Sequence, residues 1–454
     1  MNNKSCDALK EYVGALGGQL GREYTINDKY YHGQSLKRGL RNANGTGVLV
    51  GVSKIGSVHG YYMEDGVRIP QPGHLYYRGI DVEEIVSAHH SNDTFGYEEV
   101  TYLLLCGSLP NEEQKRLFNA ALSEATALPD GFFEDVIFKS PCSNVMNGLG
   151  RCVLALYAYD ANPDDISLEN VLLQSIQLVA RFPTIVADLF AVKRHYFEGR
   201  SLYIHNPKED NSVAENFLRL LRRDKKYSDK EAKLLDALLM LHAEHSGGNN
   251  SSFTCRCVTS TGTDTYSAIA AAIGSLKGPL HGGANAAVMH MINDIRTHVK
   301  DVCDDDEVGA YLDKILNKEA GDGSGKLYGI GHAVYTMSDP RAVKMKEYLL
   351  DMASEYGMSE EFEIAERVER LGVPKLIAKK NKDMPVCANV DLYSGIVYSM
   401  LGIPEDLYTP LFAIARISGW CAHRIEEIVT GGRIMRPAYR AAVEHRPYIP
   451  INER

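Results

Sequence analysis

Apolar residues recur at helical spacing through most of the chain. A run of leucines covers most of a helix circumference and predicts a buried helix: Leu234, Leu235, Leu238, Leu239 and Leu241. Only residues 48–77 show the loose alternation of Gly, Val and Tyr that is typical of strands. The pattern predicts a mainly α protein with a minor β element near the N-terminus.

Interruptions of the helical pattern indicate how long the apolar helices are and whether the chain could cross a membrane. Pro183 is expected to kink or split the apolar helix around residues 176–190. We expect no membrane span, because no apolar run approaches ~18 residues, and no secretory signal, because the first residues lack its apolar core. A chain of 454 residues suggests two or three domains.

Composition narrows the class of protein. The chain has 49 basic and 59 acidic residues, a net charge of -10, which disfavours nucleic-acid and anionic-membrane binding. A local basic pocket for an anionic small molecule is still compatible with this balance. The nine cysteines are scattered and odd in number, so we expect free thiols in a reducing cytoplasm.

Three histidines lie beside glycines at expected helix ends: His245, His281 and His332. His281 lies just ahead of an expected helix N-terminus, whose positive dipole end favours a neutral ring that can donate a hydrogen bond. Taken singly, each of them is more typical of a structural histidine than of a site residue. A second alternative is a metal site built from His242, His245, Cys255 and Cys257, although this spacing is not a usual zinc pattern.

Asp391 precedes the apolar run 396–401. One interpretation is that it caps the helix that begins there, which would lower the pKa of its carboxyl group. The other is that it is a weak base, which could remove a carbon-bound proton if a neutral histidine stabilised the developing oxyanion.

Three arginines complete the set of candidates: Arg341, Arg416 and Arg436. Arg416 lies in the apolar run 411–420, where an unpaired charge is unfavourable. The structural alternative is an ion pair with Glu426 or Glu427. The functional interpretation is a bidentate fork for a carboxylate ligand.

Seven segments together, in order and spacing, resemble the citrate synthase family. They are HSGGN (245–249), GPLHGGAN (278–285), GIGHAVY (329–335), DPR (339–341), NVDLYSG (389–395), TPLFAIARISGW (409–420) and RIMRPAY (433–439). With YYRGIDVEEI (76–85) and YEEVTYLLLCGSLP (97–110), the resemblance covers residues 76–439.

The resemblance implies a two-domain, nearly all-α fold. A discontinuous, dimer-forming large domain would comprise residues 1–282 and 403–454, and a small domain, residues 283–402, would close over the substrates. It also implies a homodimer, with the leucine-rich helix and the small-residue helix at 267–276 resembling the family's interface helices.

The implied reaction condenses acetyl-CoA with oxaloacetate and hydrolyses citryl-CoA. By the match, Asp391 is the base, His281 donates a hydrogen bond to the thioester oxygen, and His332 polarises the oxaloacetate carbonyl. His245, Arg341 and Arg416 would hold oxaloacetate, with Arg436 contributed by the partner subunit. Acetyl-CoA is a substrate, and no metal or prosthetic group is implied.

One position departs from the family. Many members have a basic residue that contacts the CoA phosphates where this chain has Thr336, so Lys344, Lys379 or Lys380 is expected to compensate. The rivals are a 2-methylcitrate synthase that uses propionyl-CoA, a non-catalytic ligand-binding helical protein, and, weakest, a metal-bound hydrolase. One methylene of pocket space is worth only ~1–3 kcal/mol, too little to be resolved from the sequence.

Overall fold

A computed structural model of the chain describes residues 10–14, 16, 23–27, 30–31, 36–42, 44–380 and 385–454. Contacts divide the chain into two units, one of residues 1–50 with 436–454 and the other of residues 51–435. The described parts of the first unit are mostly exposed. The second unit contains the sheet and the helices α1–α15 named below.

A small antiparallel sheet opens the second unit. It consists of β1 (Gly56–Glu64), β2 (Val67–Tyr77) and β3 (Ile80–Asp81), in that spatial order. In the β1–β2 hairpin Gly56 lies opposite Tyr77, and the register shifts between His59 and Tyr61. The position of this sheet confirms the expected β element.

Helices make up most of the rest. They are α1 (Val82–Ser91), α2 (Tyr97–Cys106), α3 (Glu112–Glu124), α4 (Val145–Leu156), α5 (Leu168–Glu198), α6 (Val213–Leu221), α7 (Asp229–His242), α8 (Asn250–Thr259), α9 (Thr265–Leu276), α10 (Ala284–His298), α11 (Asp305–Leu316), α12 (Pro340–Met352), α13 (Ser359–Lys380), α14 (Asp391–Met400) and α15 (Tyr408–Val429). The mainly α class predicted from the hydrophobic pattern is confirmed.

Helix α5 corrects one expectation. It continues through Pro183 for 31 residues instead of splitting there. Within the described residues it is the one helix long and apolar enough to cross a membrane. This differs from the expectation that no apolar run approaches that length. However, 78% of its most apolar window is buried inside the protein, as in a core helix.

Helix α15 lies at the centre of the second unit. Among the described residues it packs mainly against α2, α5, α7, α8 and α9, and it also contacts α4 and α10. The leucine-rich run forms α7, which Ser228 and Glu231 start with a reciprocal capping box and whose leucines are buried as predicted. Because α7 and α15 are packed together, the residues just after α7 lie beside the middle of α15.

The β1–β2 hairpin packs against the loop after His332. A Cβ atom on Gly60 would lie 2.6 Å from the Cα of Tyr335, and one on Gly73 would overlap the carbonyl oxygen of Ser338. Glycine at these two positions therefore permits a backbone approach that no larger residue would allow. The hydroxyl of the buried Thr336 donates to the carbonyl oxygen of Gly60, which ties the loop to the hairpin.

Candidate active site

The chain segments that carry His332 and Asp391 are joined through their backbones. Ile330 and Ala388 form an isolated antiparallel bridge. Asn389 strengthens it, because its Nδ2 donates to the carbonyl oxygen of the residue before His332 at 2.9 Å. Two residues far apart in the sequence are thus placed side by side by a single pair of bridged turns.

Asp391 is the first residue of α14 and does not cap it. The N-cap is Val390, and no side chain caps this end of the helix. Burial raises the pKa of the Asp391 carboxyl to about 6, although Arg341 opposes the shift. The capping interpretation, with its lowered pKa, is therefore wrong. A carboxyl group with this pKa is largely ionised at neutral pH and is a stronger base than an ordinary aspartate.

His281 is a neutral ring, as expected, but for another reason. Burial, followed by the charge of Arg416, lowers its pKa to about 4. The helix that follows has its N-cap at Gly283, two residues farther on, and this end is not among the causes of the shift. At neutral pH the ring is therefore uncharged and is able to donate one hydrogen bond.

Two polar neighbours of His281 lie at the same ring nitrogen. Nε2 lies 3.2 Å from Oδ1 of Asn249 and 3.3 Å from Oγ of Ser251. The indole Nε1 of Trp420 donates to this Oγ at 3.0 Å, and the single hydroxyl hydrogen of Ser251 is shared between Oδ1 of Asn249, at 2.8 Å, and His281. When the hydroxyl donates to Nε2, the ring proton lies on Nδ1, which can then donate to a ligand.

The proton of the neutral His332 ring is placed more firmly. Its Nδ1 accepts hydrogen bonds from the backbone N–H groups of Val334 at 3.1 Å and Tyr335 at 3.0 Å. The neutral ring therefore carries its proton on Nε2, which is the donor it can offer to a carbonyl oxygen. Tyr335 also stacks on the ring, with 4.5 Å between the ring centroids.

His245 connects the separate parts of the site. It lies three residues beyond the end of α7, and its ring centroid is 5.1 Å from that of His332. Burial lowers the pKa of His245 well below its usual value, and the charges of Arg341 and Arg416 and the rings of His332 and His281 lower it further. The structure thus brings four of the predicted residues into the electrostatic neighbourhood of a fifth, and Arg341 in turn acts on Asp391.

Arg341 forms a buried bidentate pair with Asp339. Its Nε and Nη2 donate to the two carboxylate oxygens at 3.0 and 2.8 Å. Burial opposes the charge of Asp339, but Arg341 outweighs it and lowers the pKa of that carboxyl. Asp339 also accepts from the backbone N–H of Val390 at 3.2 Å, which links the starts of α12 and α14. Nη1 of Arg341 makes no hydrogen bond to the described residues and is available to a ligand.

Arg416 is fully buried and only partly satisfied. Its Nε donates to the carbonyl oxygen of His242 at 2.7 Å, while Nη1 and Nη2 have no hydrogen-bond partner in the described part of the chain. Burial lowers the pKa of this guanidinium to about 10, and the carboxylate of Glu244 opposes that shift. Two buried donors without acceptors are unfavourable, and a bound carboxylate would satisfy both.

The structural alternative for Arg416 is wrong. Glu426 and Glu427 pair instead with Arg256, whose Nη1 lies 2.9 Å from Oε2 of Glu427. The Nε of Arg256 also donates to His423 at 3.0 Å. Since both glutamates pair with Arg256, neither of them occupies the terminal nitrogens of Arg416, and a ligand could bind there.

The lysines predicted to bind CoA have partners of their own, where the structure describes their side chains. Nζ of Lys344 is 2.7 Å from a carboxylate oxygen of Glu347, and Lys379 donates to the carbonyl oxygen of Leu316. The side chain of Lys380 lies outside the described residues. Arg436 is exposed and belongs to the first unit.

The proposed metal ligands are not brought together as a metal centre. Among the described residues no group of three His, Cys, Asp or Glu side chains could hold a metal ion. His242 bonds to the hydroxyl of Tyr398 at 3.0 Å, and Sγ of Cys255 lies 3.6 Å from the carbonyl oxygen of Trp420.

Sequence reasoning missed several residues that orient the site. Asn249 and Ser251 hold His281, Asp339 holds Arg341, and Tyr335 stacks on His332. Each lies inside or next to a segment already singled out. The available signal was therefore a polar or aromatic residue within two to six positions of a candidate, and nothing in the sequence indicated its partner.

Comparisons with known proteins agree with this geometry. A sequence model described as "Citrate synthase, C-terminal domain" matches residues 43–438. The citrate synthase of Deinococcus radiodurans is 37% identical over 384 residues, which are 84% of this chain and 93% of that protein. The chain belongs to the citrate synthase family.

Other members of the family widen the comparison. The 2-methylcitrate synthase 1 of Corynebacterium glutamicum is 32% identical over 390 residues, 85% of this chain and 94% of that protein. The solved citrate synthase of Thermotoga maritima has a TM-score of 0.72 and 30% identity, covering 92% of this chain and 99% of that one. A ternary complex of the Thermoplasma acidophilum citrate synthase with carboxymethyl coenzyme A and oxaloacetate has a TM-score of 0.74 and 28% identity, with the same coverage. The family forms a carbon–carbon bond by acyl transfer.

Proposed function

We propose that this protein is a citrate synthase that condenses acetyl-CoA with oxaloacetate and water to give citrate and CoA. The observation that carries the proposal is the buried Arg416, which lies near Arg341 and three histidines and whose two terminal nitrogens have no hydrogen-bond partner among the described residues. Such a pocket suits a small dicarboxylate. Near it lies Asp391, with a pKa raised to about 6, which suits a base for a carbon-bound proton.

In the proposed first step Asp391 removes a proton from the acetyl methyl group. His281 donates a hydrogen bond to the thioester oxygen and stabilises the negative charge that develops there in the enolate intermediate. The low pKa of His281 supports this role, because the ring is uncharged at neutral pH and can donate a hydrogen bond without adding positive charge to the site. Asp391 leaves this step protonated.

In the proposed second step the enolate carbon attacks the keto carbon of oxaloacetate. His332 donates from Nε2 to the keto oxygen and stabilises the alkoxide that forms, which its fixed tautomer supports. His245, Arg341 and Arg416 would hold the two carboxylates, with Arg436 of the partner subunit completing the pocket. Water then hydrolyses the thioester of citryl-CoA.

A thiol-release assay tests this reaction. We expect release of CoA that depends on oxaloacetate, is unchanged by a chelator, and falls by ~10²–10⁴ in Asp391→Asn because the base is lost. Asp351→Asn is the matched control, since this aspartate is exposed on α12. Release that persists in Asp391→Asn would contradict the proposed base, and binding of oxaloacetate without any turnover would favour a non-catalytic ligand-binding protein.

The second candidate function is that of a 2-methylcitrate synthase. It is favoured by relatives of that name at 32% and 33% identity, against 37% for the Deinococcus radiodurans citrate synthase. The same assay with propionyl-CoA separates them. A larger kcat/KM for acetyl-CoA supports the first proposal, and the reverse order supports the second.

We also infer a homodimer in which Arg436 acts in the partner's site. A mixed dimer of Asp391→Asn and Arg436→Gln subunits tests this directly. If Arg436 acts across the interface, one of the two sites has both residues and activity returns to about half. If it acts within its own subunit, both sites lack a residue and the mixed dimer stays inactive.

Residues 283–402 are proposed to form a small domain that closes over the substrates, against the remainder as the large domain. The boundary positions Gly283 and Gly402 support this, because Gly402 has a positive φ of 65° and ends α14. Small-angle scattering should show a smaller radius of gyration with oxaloacetate and a CoA analogue than without ligands. An unchanged radius would argue against closure.

The CoA phosphates are proposed to contact Lys344, Lys379 or Lys380, since Thr336 is buried and engaged with the β1–β2 hairpin. Replacing each lysine with alanine should raise KM for acetyl-CoA in at least one variant while KM for oxaloacetate stays constant. Unchanged kinetics in all three variants would remove this assignment. A cytoplasmic location accords with the nine cysteines and is proposed on that basis.

A further inference from the structure

Besides Arg341 and Arg416, a second group of arginines lies on α5 and in the segments after it. The C-terminal half of α5, the loop that follows and the end of α6 enclose a cavity of about 310 Å³. None of the candidate active-site residues lines this cavity. Its polar wall consists of Arg194, Arg200, Ser201, Tyr203, His205 and Arg223.

The wall of this cavity is basic in an acidic protein. No aspartate or glutamate lines it, although the chain carries ten more acidic than basic residues. Arg194 has a weak partner in Glu198, with 3.5 Å between Nε and Oε2. Arg200 and Arg223 have exposed side chains that form no hydrogen bond or ion pair with the described residues. Three guanidinium groups around one small space repel each other unless an anion lies between them.

The position of Arg223 is restrained by an aromatic ring. Its guanidinium carbon lies 4.8 Å from the centroid of the Tyr203 ring. Such a contact orients the guanidinium plane without using its N–H groups, so these remain available to an acceptor.

His205 supplies an independent sign of a missing ligand. Its Nε2 is buried from solvent and has no hydrogen-bond partner among the described residues. A buried polar atom of this kind is unfavourable unless something satisfies it. Because His205 lines the same cavity as the arginines, an anion bound there would accept a hydrogen bond from Nε2 as well.

The loop that carries these residues is held in place by local bonds. Gly199 ends α5 with a positive φ of 65°, which reverses the chain. The backbone N–H of Arg200 donates to the carbonyl oxygen of Arg194 at 3.1 Å, and the ring Nδ1 of His195 donates to the carbonyl oxygen of Arg200 at 2.9 Å. The backbone at Arg200 is therefore positioned before any ligand arrives, which reduces the entropy lost on binding.

We propose that this cavity is a binding site for a compact, multiply charged anion with two linked phosphate groups. Its volume lies at the small end of ligand pockets, which suits a diphosphate better than a larger molecule. Arginine side chains match phosphate oxygens bidentately, and three of them balance the charge of a diphosphate. The net charge of -10 disfavours a nucleic acid as the occupant.

Calorimetric titration of the full-length protein with sodium pyrophosphate tests the proposal. We expect one site per chain, and binding weaker by at least about tenfold in the double variant Arg200→Gln/Arg223→Gln, because each charge-assisted hydrogen bond contributes about that factor or more. His205→Ala should weaken binding as well. Arg116→Gln, which removes the same charge from an exposed position on α3, should leave it unchanged.

A second comparison distinguishes this cavity from the candidate active site. Arg416→Leu should bind pyrophosphate as the wild type does, whereas binding in the active site would make this variant the weak one. The Arg200→Gln/Arg223→Gln variant should also retain wild-type turnover. The proposal is overturned if the wild type shows no saturable binding up to about 10 mM pyrophosphate, or if the double variant binds it as tightly as the wild type.

Discussion

Two arginines on α15 are equally buried and differ in what surrounds them. Each nitrogen of Arg424 has a partner, since its Nε, Nη1 and Nη2 donate to Thr265 Oγ1 at 3.0 Å, Thr259 Oγ1 at 3.3 Å and the carbonyl oxygen of Thr263 at 2.8 Å. Arg416 has one partner and two buried nitrogens without any among the described residues. Burial of a charge alone therefore does not mark a binding site; burial without partners does.

The same contrast separates two aspartates. Asp339 is paired with Arg341 and its pKa is lowered, whereas Asp391 accepts no hydrogen bond from the described residues and its pKa is raised to about 6. The paired group holds the site together. The unpaired Asp391 carboxylate is a better base near neutral pH, because little in its surroundings stabilises its charged form.

The largest expected effect is the difference in activity between variants of Arg416 and of Arg424. Arg416→Leu should lower kcat/KM for oxaloacetate by about 10³, since two charge-assisted hydrogen bonds of ~1.5–3 kcal/mol each are lost. Arg424→Leu should keep the activity of its folded fraction within about threefold. Steady-state kinetics on both variants measure this. Equal losses in the two would break the comparison.

The next effect concerns the two aspartates and pH. Because the base must be ionised, kcat/KM should fall about tenfold for each pH unit below the Asp391 pKa of about 6 and level off above it. His281, with a pKa of about 4, stays neutral through this range and adds no second inflection above that value. A pH–rate profile between about pH 4.5 and 8.5 shows the limb. His281→Asn should lower the rate without shifting the pH at which this limb begins.

Stability should reverse the order of the two arginines. Arg424→Leu should lower the free energy of unfolding by about 2–4 kcal/mol, because it leaves the buried hydroxyls of Thr259 and Thr265 and the half-buried carbonyl oxygen of Thr263 without their donor. Arg416→Leu should lower it by clearly less, since two unsatisfied nitrogens disappear with the charge. Chemical denaturation measures both. In addition, oxaloacetate should stabilise the wild type and Arg424→Leu but not Arg416→Leu.

The smallest effect is a gain in stability at the catalytic position. The folded-state pKa of Asp391 lies above the ordinary value of 3.8, so ionisation of this carboxyl destabilises the fold above about pH 6. Asp391→Asn should therefore be more stable than the wild type by about 1 kcal/mol at pH 8, a figure reduced for partial solvent exposure. The difference should vanish below about pH 4. Asp339→Asn should be destabilised instead, because it breaks a buried ion pair.

The sequence carried most of the fold class and the choice of candidates. Helical spacing predicted α7 and the mainly α architecture, and the glycine-flanked histidines were found without a structure. It failed where the answer depended on partners. The expected partners of Arg416 belong to Arg256, and the expected cap at Asp391 does not exist. The first outcome depends on which side chains pack together, and the second on a helix boundary that lies one residue earlier than the pattern predicts.

The sequence by itself determined which residue types were present, their order, and where helices would form, because hydrophobic periodicity and glycine placement act locally along the chain. Only the tertiary structure decided which charges are paired and which are left without partners. It did so by packing α7 against α15 and bridging the turns that carry His332 and Asp391, segments far apart in the chain. Burial and hydrogen-bond satisfaction are properties of that packing, and they set the pKa values and the empty acceptor positions on which the proposed chemistry depends.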